Sequence, residues 1–516
     1  MPHRHTLKLS MGEGDYGRLL RHRLFRQTPV ASRESIVSIH YDTRTLQLAM
    51  RSVELSLRRS GSSWIQTVRY AENSSDAESL MTEWTAIYLN HFDFSGVENA
   101  KLAAWLSQRK IISRITPIFE SNLRRTTWQL RPQPGVVVQA KVDRGTLVSS
   151  GRRESLIDLD LHLVDGCREN LFEVAAQLAA HVALTPQLRD KAGRGCRLFL
   201  NSKQVPVKAE SFTLPAAVAP LHAFKHIAFS CLQHLHENHA GSVENSDPEY
   251  VHQMRVATRR LRAAIQIFKP LLPTSFIEQI IPPLRDLMQN LGRVRDLDVL
   301  TSEIVNPVAA ALPDEPGIIA LSAVITDRLY QARTDVTKRL LAPDYGGLHL
   351  QAATMLNRAP FAVAVIKPNK SEIPEDCVDD EQPALTKFAQ VRLNSLFEKL
   401  LTSAAAARIE HPPTLHRMRI CIKRLRYAME FFRPMLPKKR GSKVLAALAT
   451  AQDKLGQLND LAVAGEVLMA CVANDRHLHR AVSLVGAWHA QRYADLLADV
   501  VTDIRKIQNL KLPRLE

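Results

Sequence analysis

The 516-residue sequence has only six cysteines (Cys167, Cys196, Cys231, Cys377, Cys421, Cys471), with no C-x-x-C pair among them. That scatter argues against a zinc site and a disulfide framework, and fits a reducing cytosol. No stretch approaches 18 uninterrupted apolar residues, and the basic N-terminus lacks an apolar h-region. The sequence therefore predicts neither a spanning helix nor secretion. It also lacks a stacking-aromatic motif and a helix-turn-helix signature, so nucleic-acid recognition has little behind it except a basic balance.

What is present is a globular composition, 45% apolar and 23% charged, in a chain long enough for two or three domains. The net charge of +16 points to a polyanionic partner, whether nucleic acid, anionic membrane or polyphosphate. Residues 1–212 carry 30 basic against 21 acidic residues (+9), leaving 68−30=38 against 52−21=31 (+7) for the rest. Total charge thus fails to mark one half, and placement has to.

Up to about residue 165 the apolar pattern is short and alternating. Val53–Leu57 and Trp64–Val68 flank Ser60-Gly61-Ser62-Ser63 as a hairpin, and 122–130, 135–142 and 157–164 continue the series. Residues 170–182 then turn helical. From about Leu214 the period is 3.6 almost throughout, broken by 367–383, which is rich in Pro, Asp and Glu and reads as an acidic linker.

On either side of that linker lies a repeat. His252-Gln-Met-Arg-Val-Ala-Thr-Arg-Arg-Leu-Arg262 matches His416-Arg-Met-Arg-Ile-Cys-Ile-Lys-Arg-Leu-Arg426 at an offset of 164, and 11 of 22 positions to Pro273 and Pro437 are identical. The same offset aligns Leu291-Gly-Arg-Val-Arg-Asp-Leu297 with Leu455-Gly-Gln-Leu-Asn-Asp-Leu461. One register held that long means a tandem duplication. In each copy the cations are spaced 3-4-3, as His252, Arg255, Arg259, Arg262 and His416, Arg419, Lys423, Arg426. That spacing lines one helix face, and Lys269 and Arg433 extend it to roughly 25 Å. An ordinary solvated helix intersperses Glu to gain about 0.2–0.5 kcal/mol per pair. No carboxylate interrupts these four positions in either copy; only Glu430 follows. A row of this kind suits closely spaced anionic oxygens, which arginine grips two at a time.

These motifs resemble those of the conserved-histidine α-helical domain, CHAD. The resemblance implies an all-α domain of two pseudosymmetric four-helix bundles around a basic channel that binds inorganic polyphosphate. It places that domain at 213–516, with repeat 1 at 213–350, the linker at 367–383 and repeat 2 at 384–512. It also carries over Arg260 and Arg424 as polyphosphate contacts beside His252, Arg255, Arg259, Arg262, Lys269, His416, Arg419, Lys423, Arg426 and Arg433. The Leu-Gly-x-x-x-Asp element falls at Gly292/Asp296 and Gly456/Asp460 and reads as a tight helix contact with a carboxylate paired to arginine. Arg285, Arg293, Arg328 and Arg492 are secondary candidates.

Residues 1–212 resemble the CYTH, or triphosphate tunnel metalloenzyme, family. The matching pieces are Tyr41-Asp-Thr43, Arg58-Arg59, Trp64–Arg69, Arg124–Trp128, Asp143-Arg-Gly145, Ile157–Leu161 and Lys191–Arg194. The resemblance implies an antiparallel β tunnel or barrel with helices, making the whole chain a multidomain α+β protein. Inward Lys8, Arg58, Arg69, Arg124, Lys141, Arg144, Lys191 and Arg194 would hold phosphate, with Asp158 and Asp160 left as metal ligands. The family's first-strand E-x-E-x-K is here Arg4-His-Thr-Leu-Lys8, so two hard oxygen ligands are missing, and His3 and His5 do not replace them. The expectation is polyphosphate binding that needs no cofactor, with at most weak Mg or Mn in the tunnel and no catalytic residue assigned. The protein is expected in the cytoplasm at polyphosphate granules, with no membrane partner. A metal-dependent inorganic triphosphatase and a nucleic-acid binder are the competing readings.

Overall fold

The structure is a computed structural model and describes residues 5–71, 81–187, 189–202, 204–210, 218–358, 385–472 and 475–515. His3, Arg4 and the acidic linker 367–383 lie outside them. The chain forms two compact units, Met1–Val205 with Ala342–Asn357, and Pro206–Leu341 with Arg358–Glu516. Helices of nine residues or more are numbered here in chain order.

The first unit is built on nine antiparallel strands: β1 (Thr6–Ser10), β2 (Val30–Asp42), β3 (Val53–Ser60), β4 (Ser63–Ala71), β5 (Met81–Ile87), β6 (Thr116–Leu130), β7 (Val137–Ser149), β8 (Arg152–Asp165) and β9 (Thr185–Pro186). Their order is β5-β4-β3-β2-β6-β7-β8-β1-β9. The antiparallel sheet expected from the alternation is present, and the Gly61 turn joins β3 to β4 as a hairpin. Hydrogen bonding does not close it into a barrel, since β5 and β9 end the ladder among the described residues. Period-2 alternation separates its faces. Val138, Ala140 and Val142 of β7 join Leu159 and Leu161 of β8 in a core capped by α2 (Arg168–Ala179) through Leu171, Val174 and Leu178. The other face carries the polar residues and meets α3 (Lys191–Leu200). Helix α1 (Glu13–Arg21) follows β1.

Helix α8 (Pro343–Asn357) corrects the sequence boundary of repeat 1. It packs on α2, and Leu350 enters the sheet core. Gly346 makes this possible, because a Cβ there would stand 1.6 Å from the Leu184 carbonyl oxygen.

The second unit is the duplication in three dimensions. Helices α4 (Pro220–Glu237), α5 (Pro248–Ile267), α6 (Thr274–Val299) and α7 (Pro316–Leu340) correspond to α9 (Leu385–Ala405), α10 (Pro412–Phe431), α11 (Lys438–Cys471) and α12 (His479–Gln508). The starts of α5 and α10 differ by 412−248=164, and those of α6 and α11 by 438−274=164. Repeat mates meet each other, as residues near a two-fold axis must. The rings of Phe268 and Phe432 are 5.9 Å apart. A second apolar cluster brings Ile304, Val308, Ile318 and Leu321 together with their mates Leu468, Val472, Val482 and Val485.

Candidate functional site

Helices α5 and α10 pack against each other, so the two cationic stripes share one space. A cavity of about 730 Å³ lies there, bounded in part by Leu300, Ile304, Ala464 and Val467 of the aliphatic cluster. Its cationic lining is His252, Arg255 and Arg259 of α5, Arg295 of α6, and Arg419, Lys423 and Arg426 of α10. Four carboxylates (Asp296, Glu303, Asp453, Asp460) also line it, so the positive excess is carried by arginine and lysine.

The carboxylates offset these cations only in part. The Arg255 guanidinium is 3.8 Å from Asp296, while its Nε, the Nε of Arg419 and Nδ1 of His252 are buried without a hydrogen-bond partner among the described residues. Arg259 Nε donates to the Tyr427 hydroxyl at 3.4 Å, and Arg426 pairs with Glu430 at 3.4 Å. Burial first, and neighbouring cations second, disfavour charge here. Burial followed by Arg295 lowers His252. Burial followed by Arg419 and Arg259 pushes Lys423 down to about 7. Burial also raises Asp296, against the pull of Arg255. Burial and mutual repulsion thus act against the charges of His252 and Lys423.

The glycine of the first Leu-Gly-x-x-x-Asp element has a specific task, because a Cβ on Gly292 would come 2.6 Å from Arg255 Nη1. A Cβ on its mate Gly456 would stand 3.5 Å from Arg419 Nη2, an ordinary contact. Gly292 makes room for a guanidinium, rather than serving a tight contact between helix backbones. Gly292→Ala is expected to displace the flexible end of Arg255 and weaken anion binding several-fold. The exchange also removes a helix-interior glycine, a gain of up to about 1 kcal/mol. A variant that melts higher yet binds polyanion less tightly, in calorimetry and titration together, bears this out; unchanged affinity counts against it.

Several sequence assignments need correction. Arg260 is only 5% exposed and lies over the Phe431 ring at 5.8 Å, away from the cavity. Its mate Arg424 lines a separate groove with Glu398, Lys399 and Arg417. His416 is exposed, with Nδ1 3.3 Å from Asn459 Oδ1, and Arg262, Lys269 and Arg433 do not line the cavity either. Conversely, Arg295 was missed. The available signal was its place between Gly292 and Asp296, but its mate is Asn459, so the repeat did not flag it. Of the secondary candidates, Arg492 reaches Gln457 of the lining at 3.4 Å.

On the sheet, register decides which face each residue occupies. Arg125 pairs across the strands with Asp143, and Asp143 with Asp158, while Lys141 and Lys8 flank Asp160 from either side. Arg124 and Arg144 face each other on the opposite side, and Arg144 pairs with Glu13 of α1. Arg125, not Arg124, therefore belongs to the polar face. That face is largely self-neutralised. Arg125 forks onto Asp143 with two 2.7 Å hydrogen bonds, and Lys191 sits 2.7 Å from the same carboxylate and 3.7 Å from Asp158. Arg194 bridges Asp158 at 3.0 Å and Glu154 at 2.7 Å, and Arg197 holds the second oxygen of Glu154. Arg58 pairs with Glu34, and Arg69 with Glu83.

Burial opposes the charge of Asp143, but the Arg125 hydrogen bonds and Lys191 outweigh it and hold the carboxyl below its ordinary range. Burial raises Asp158 in spite of Arg194 and Lys191. Divalent magnesium or manganese needs several free hard oxygens. Asp158 is committed to Arg194, Gln187 and Lys191, whereas Asp160, level with Lys8 and Lys141 in the strand register, keeps a buried Oδ1 with no hydrogen-bond partner among the described residues. One unengaged carboxylate does not make a divalent metal centre, and no cluster of three or more His, Cys, Asp or Glu placed to hold a metal occurs among the described residues.

Residues 226–469 match the family described as the CHAD domain. The CHAD domain from the plant Ricinus communis is 30% identical, superposes with a TM-score of 0.51, and aligns over 61% of this chain and all of its own. PptA from Streptomyces chartreusis is 15% identical with a TM-score of 0.41, over 56% of this chain and 98% of its own. A Hippeastrum protein, described as a putative adenylyl cyclase with a dominant triphosphatase activity, is 12% identical with a TM-score of 0.26, over 39% of this chain and 98% of its own. No curated protein matches the chain. No helix among the described residues is long and apolar enough to cross a membrane.

Proposed function

Starting from the membership of this chain in the CHAD-domain family, we propose that it binds inorganic polyphosphate in the cavity between its two helical repeats. The observation that carries the reading is the convergence of Arg255, Arg259, Arg295, Arg419, Lys423 and Arg426 on one partly open cavity, with buried nitrogens that have no hydrogen-bond partner among the described residues. A linear chain of phosphates offers oxygens at the spacing such donors need, and arginine takes two of them at once. Binding of this kind needs no metal and weakens with salt. It would carry the protein to polyphosphate granules in the cytoplasm.

The test is titration with polyphosphate of defined length, in competition with duplex and single-stranded nucleic acid at equal phosphate concentration. Tight binding that nucleic acid fails to displace supports the reading; displacement by nucleic acid overturns it.

Lys423 gives the reading a pH signature. Free, its amine titrates near 7. A bound polyanion favours the charged form and raises that value, so binding takes up a proton above neutrality. Affinity is expected to fall roughly tenfold between pH 6 and pH 8.5. Lys423→Arg, charged throughout, is expected to flatten the profile. A wild-type profile already flat across this range removes Lys423 from the binding site.

We infer that the first unit is not a triphosphatase, because its carboxylates already hold Arg125, Lys191, Arg194 and Arg197. Robust release of phosphate from triphosphate with Mg²⁺ or Mn²⁺, abolished by Asp158→Asn with Asp160→Asn, reverses that inference.

A further inference from the structure

The cavity between the repeats is not cationic throughout. Helices α6 and α11 each turn one face to it, and the chemistry of that face changes within one turn. On the α6 side the lining runs Arg295, Asp296, then Val299, Leu300 and Ile304; on α11 it runs Asn459, Asp460, then Val463, Ala464 and Val467. Val299 and Val463 are repeat mates, as are Leu300 and Ala464, since 299+164=463 and 300+164=464. Three or four residues rise roughly 4.5–6 Å along a helix, so aliphatic carbon begins about that far beyond Asp296 and Asp460. The Arg255 guanidinium, 3.8 Å from Asp296, is thus one turn from the aliphatic wall. A π-helical turn, Leu300–Val305, continues α6 here and brings Ile304 into the lining, whereas its mate Leu468 stays in the core. His489 Nε2 of α12 donates to the Ile304 carbonyl at 2.8 Å and ties the turn down. Val463 is 41% exposed and Val299 and Val467 are half-buried, so the wall faces the cavity instead of being sealed beneath it. Glu303 alone interrupts it among the described lining residues, and Glu303 is exposed.

Polyphosphate has nothing to offer such a wall, because apolar surface gains only from meeting other apolar surface. A nucleobase fits it poorly, since Val299, Leu300, Ile304, Val463, Ala464 and Val467 provide no ring to stack on. An aliphatic chain fits it well. We propose that the cavity also takes small aliphatic diphosphates, head group among Arg255, Arg259, Arg419 and Lys423, hydrocarbon chain along the Val299–Ile304 and Val463–Val467 wall. The cations hold the diphosphate by charge and hydrogen bonds, and the wall holds the chain by the area it removes from water. Its volume of about 730 Å³ falls within the roughly 300–1,000 Å³ common for small-molecule sites. An aliphatic diphosphate and polyphosphate would compete for the same cations. The proposal rests on the reading of the cavity as a phosphate site and adds a second, apolar half to it.

The experiment titrates the full-length protein, in the presence of a metal chelator, with geranyl diphosphate, methyl diphosphate, ADP and geraniol, each below its micelle concentration. Each buried methylene is worth roughly fourfold in affinity, so a chain that buries even four carbons gains about a hundredfold. Geranyl diphosphate is therefore expected to bind about a hundredfold tighter than methyl diphosphate, and tighter than ADP, while geraniol alone binds weakly. Its heat capacity of binding is expected to be the more negative, as burial of apolar surface requires. Val463→Asn, at an exposed position and with a similar helix propensity, is expected to reduce the preference for geranyl over methyl diphosphate at least several-fold. Geranyl diphosphate binding no tighter than methyl diphosphate or ADP overturns the proposal, as does an unchanged preference in Val463→Asn shown to be folded by circular dichroism. Polyphosphate is titrated on the same preparation, so the two ideas fail separately. A geranyl preference without polyphosphate binding leaves this proposal standing and removes the polyphosphate reading. Polyphosphate binding without a geranyl preference does the reverse, and binding of neither anion removes both.

Discussion

Replacing Arg255, Arg259, Arg419 and Lys423 together with alanine is expected to lower affinity for long-chain polyphosphate by about three orders of magnitude or more. A hydrogen bond to a charged group contributes about 1.5–3 kcal/mol net. Even at about 1 kcal/mol each, four lost contacts amount to about 4 kcal/mol, or about a thousandfold. By analogy with nucleic acids, the slope of log affinity against log salt also falls by about 0.7–0.9 per lost contact. The variant is expected to keep its helical content and melt no lower than the wild type. Burial and neighbouring cations already disfavour the charges of Arg255, Arg419 and Lys423, so truncating the cluster relieves repulsion. Titration at several salt concentrations, with melting curves alongside, checks both halves. If affinity survives within tenfold in a folded variant, the anion binds elsewhere.

Asp143→Ala in the first unit is expected to act in the opposite way, with a large loss of stability and little change at the helical cavity. Asp143 is 1% exposed and accepts from both Arg125 and Lys191. Its removal leaves two cations facing each other in a poorly solvated place, at a cost of about 3 kcal/mol. Because the folded protein holds this carboxyl below its ordinary range, its contribution is fully present above that range and is lost as pH falls through the folded value. The wild type is thus expected to lose stability into acid more steeply than Asp143→Ala. Chemical denaturation at pH 7 and at successive values below about 3.8 measures this, and equal midpoints for the two proteins at pH 7 would mean the network is not stabilising. Adding Mg²⁺ is expected to leave both midpoints where they are. A clear rise in the wild type alone would reveal a cation site that the ion pairs conceal.

Much of this site is legible in the sequence because the duplication repeats the signal. A constant offset carries from His252 to Pro437, and a 3-4-3 spacing has one geometrical meaning on a helix. Arg255, Arg259, Arg419, Lys423 and Arg426 follow directly. Arg260 and Arg424 do not, although each sits next to a stripe residue. One step along a helix is a rotation of 100°, which takes Arg260 to the packed side with Phe431 and Arg424 to an outer groove. On the sheet the equivalent uncertainty is one of parity. A one-residue shift sends a side chain to the other face, which separates Arg125 from Arg124.

The sequence by itself determined the period of each half, the duplication and the cationic rows, since periodicity and spacing are local properties of a chain. Tertiary structure alone decided how far each row reaches the cavity and that α6 contributes Arg295. It likewise decided that α8 joins the sheet and that the polar face of the first unit spends its arginines on its own carboxylates. Those outcomes depend on the azimuth at which helices pack and the register in which strands pair. Both are fixed by the burial of apolar residues, such as Phe268 against Phe432 and Leu350 in the core under α2. The charges are then carried to wherever that packing leaves them.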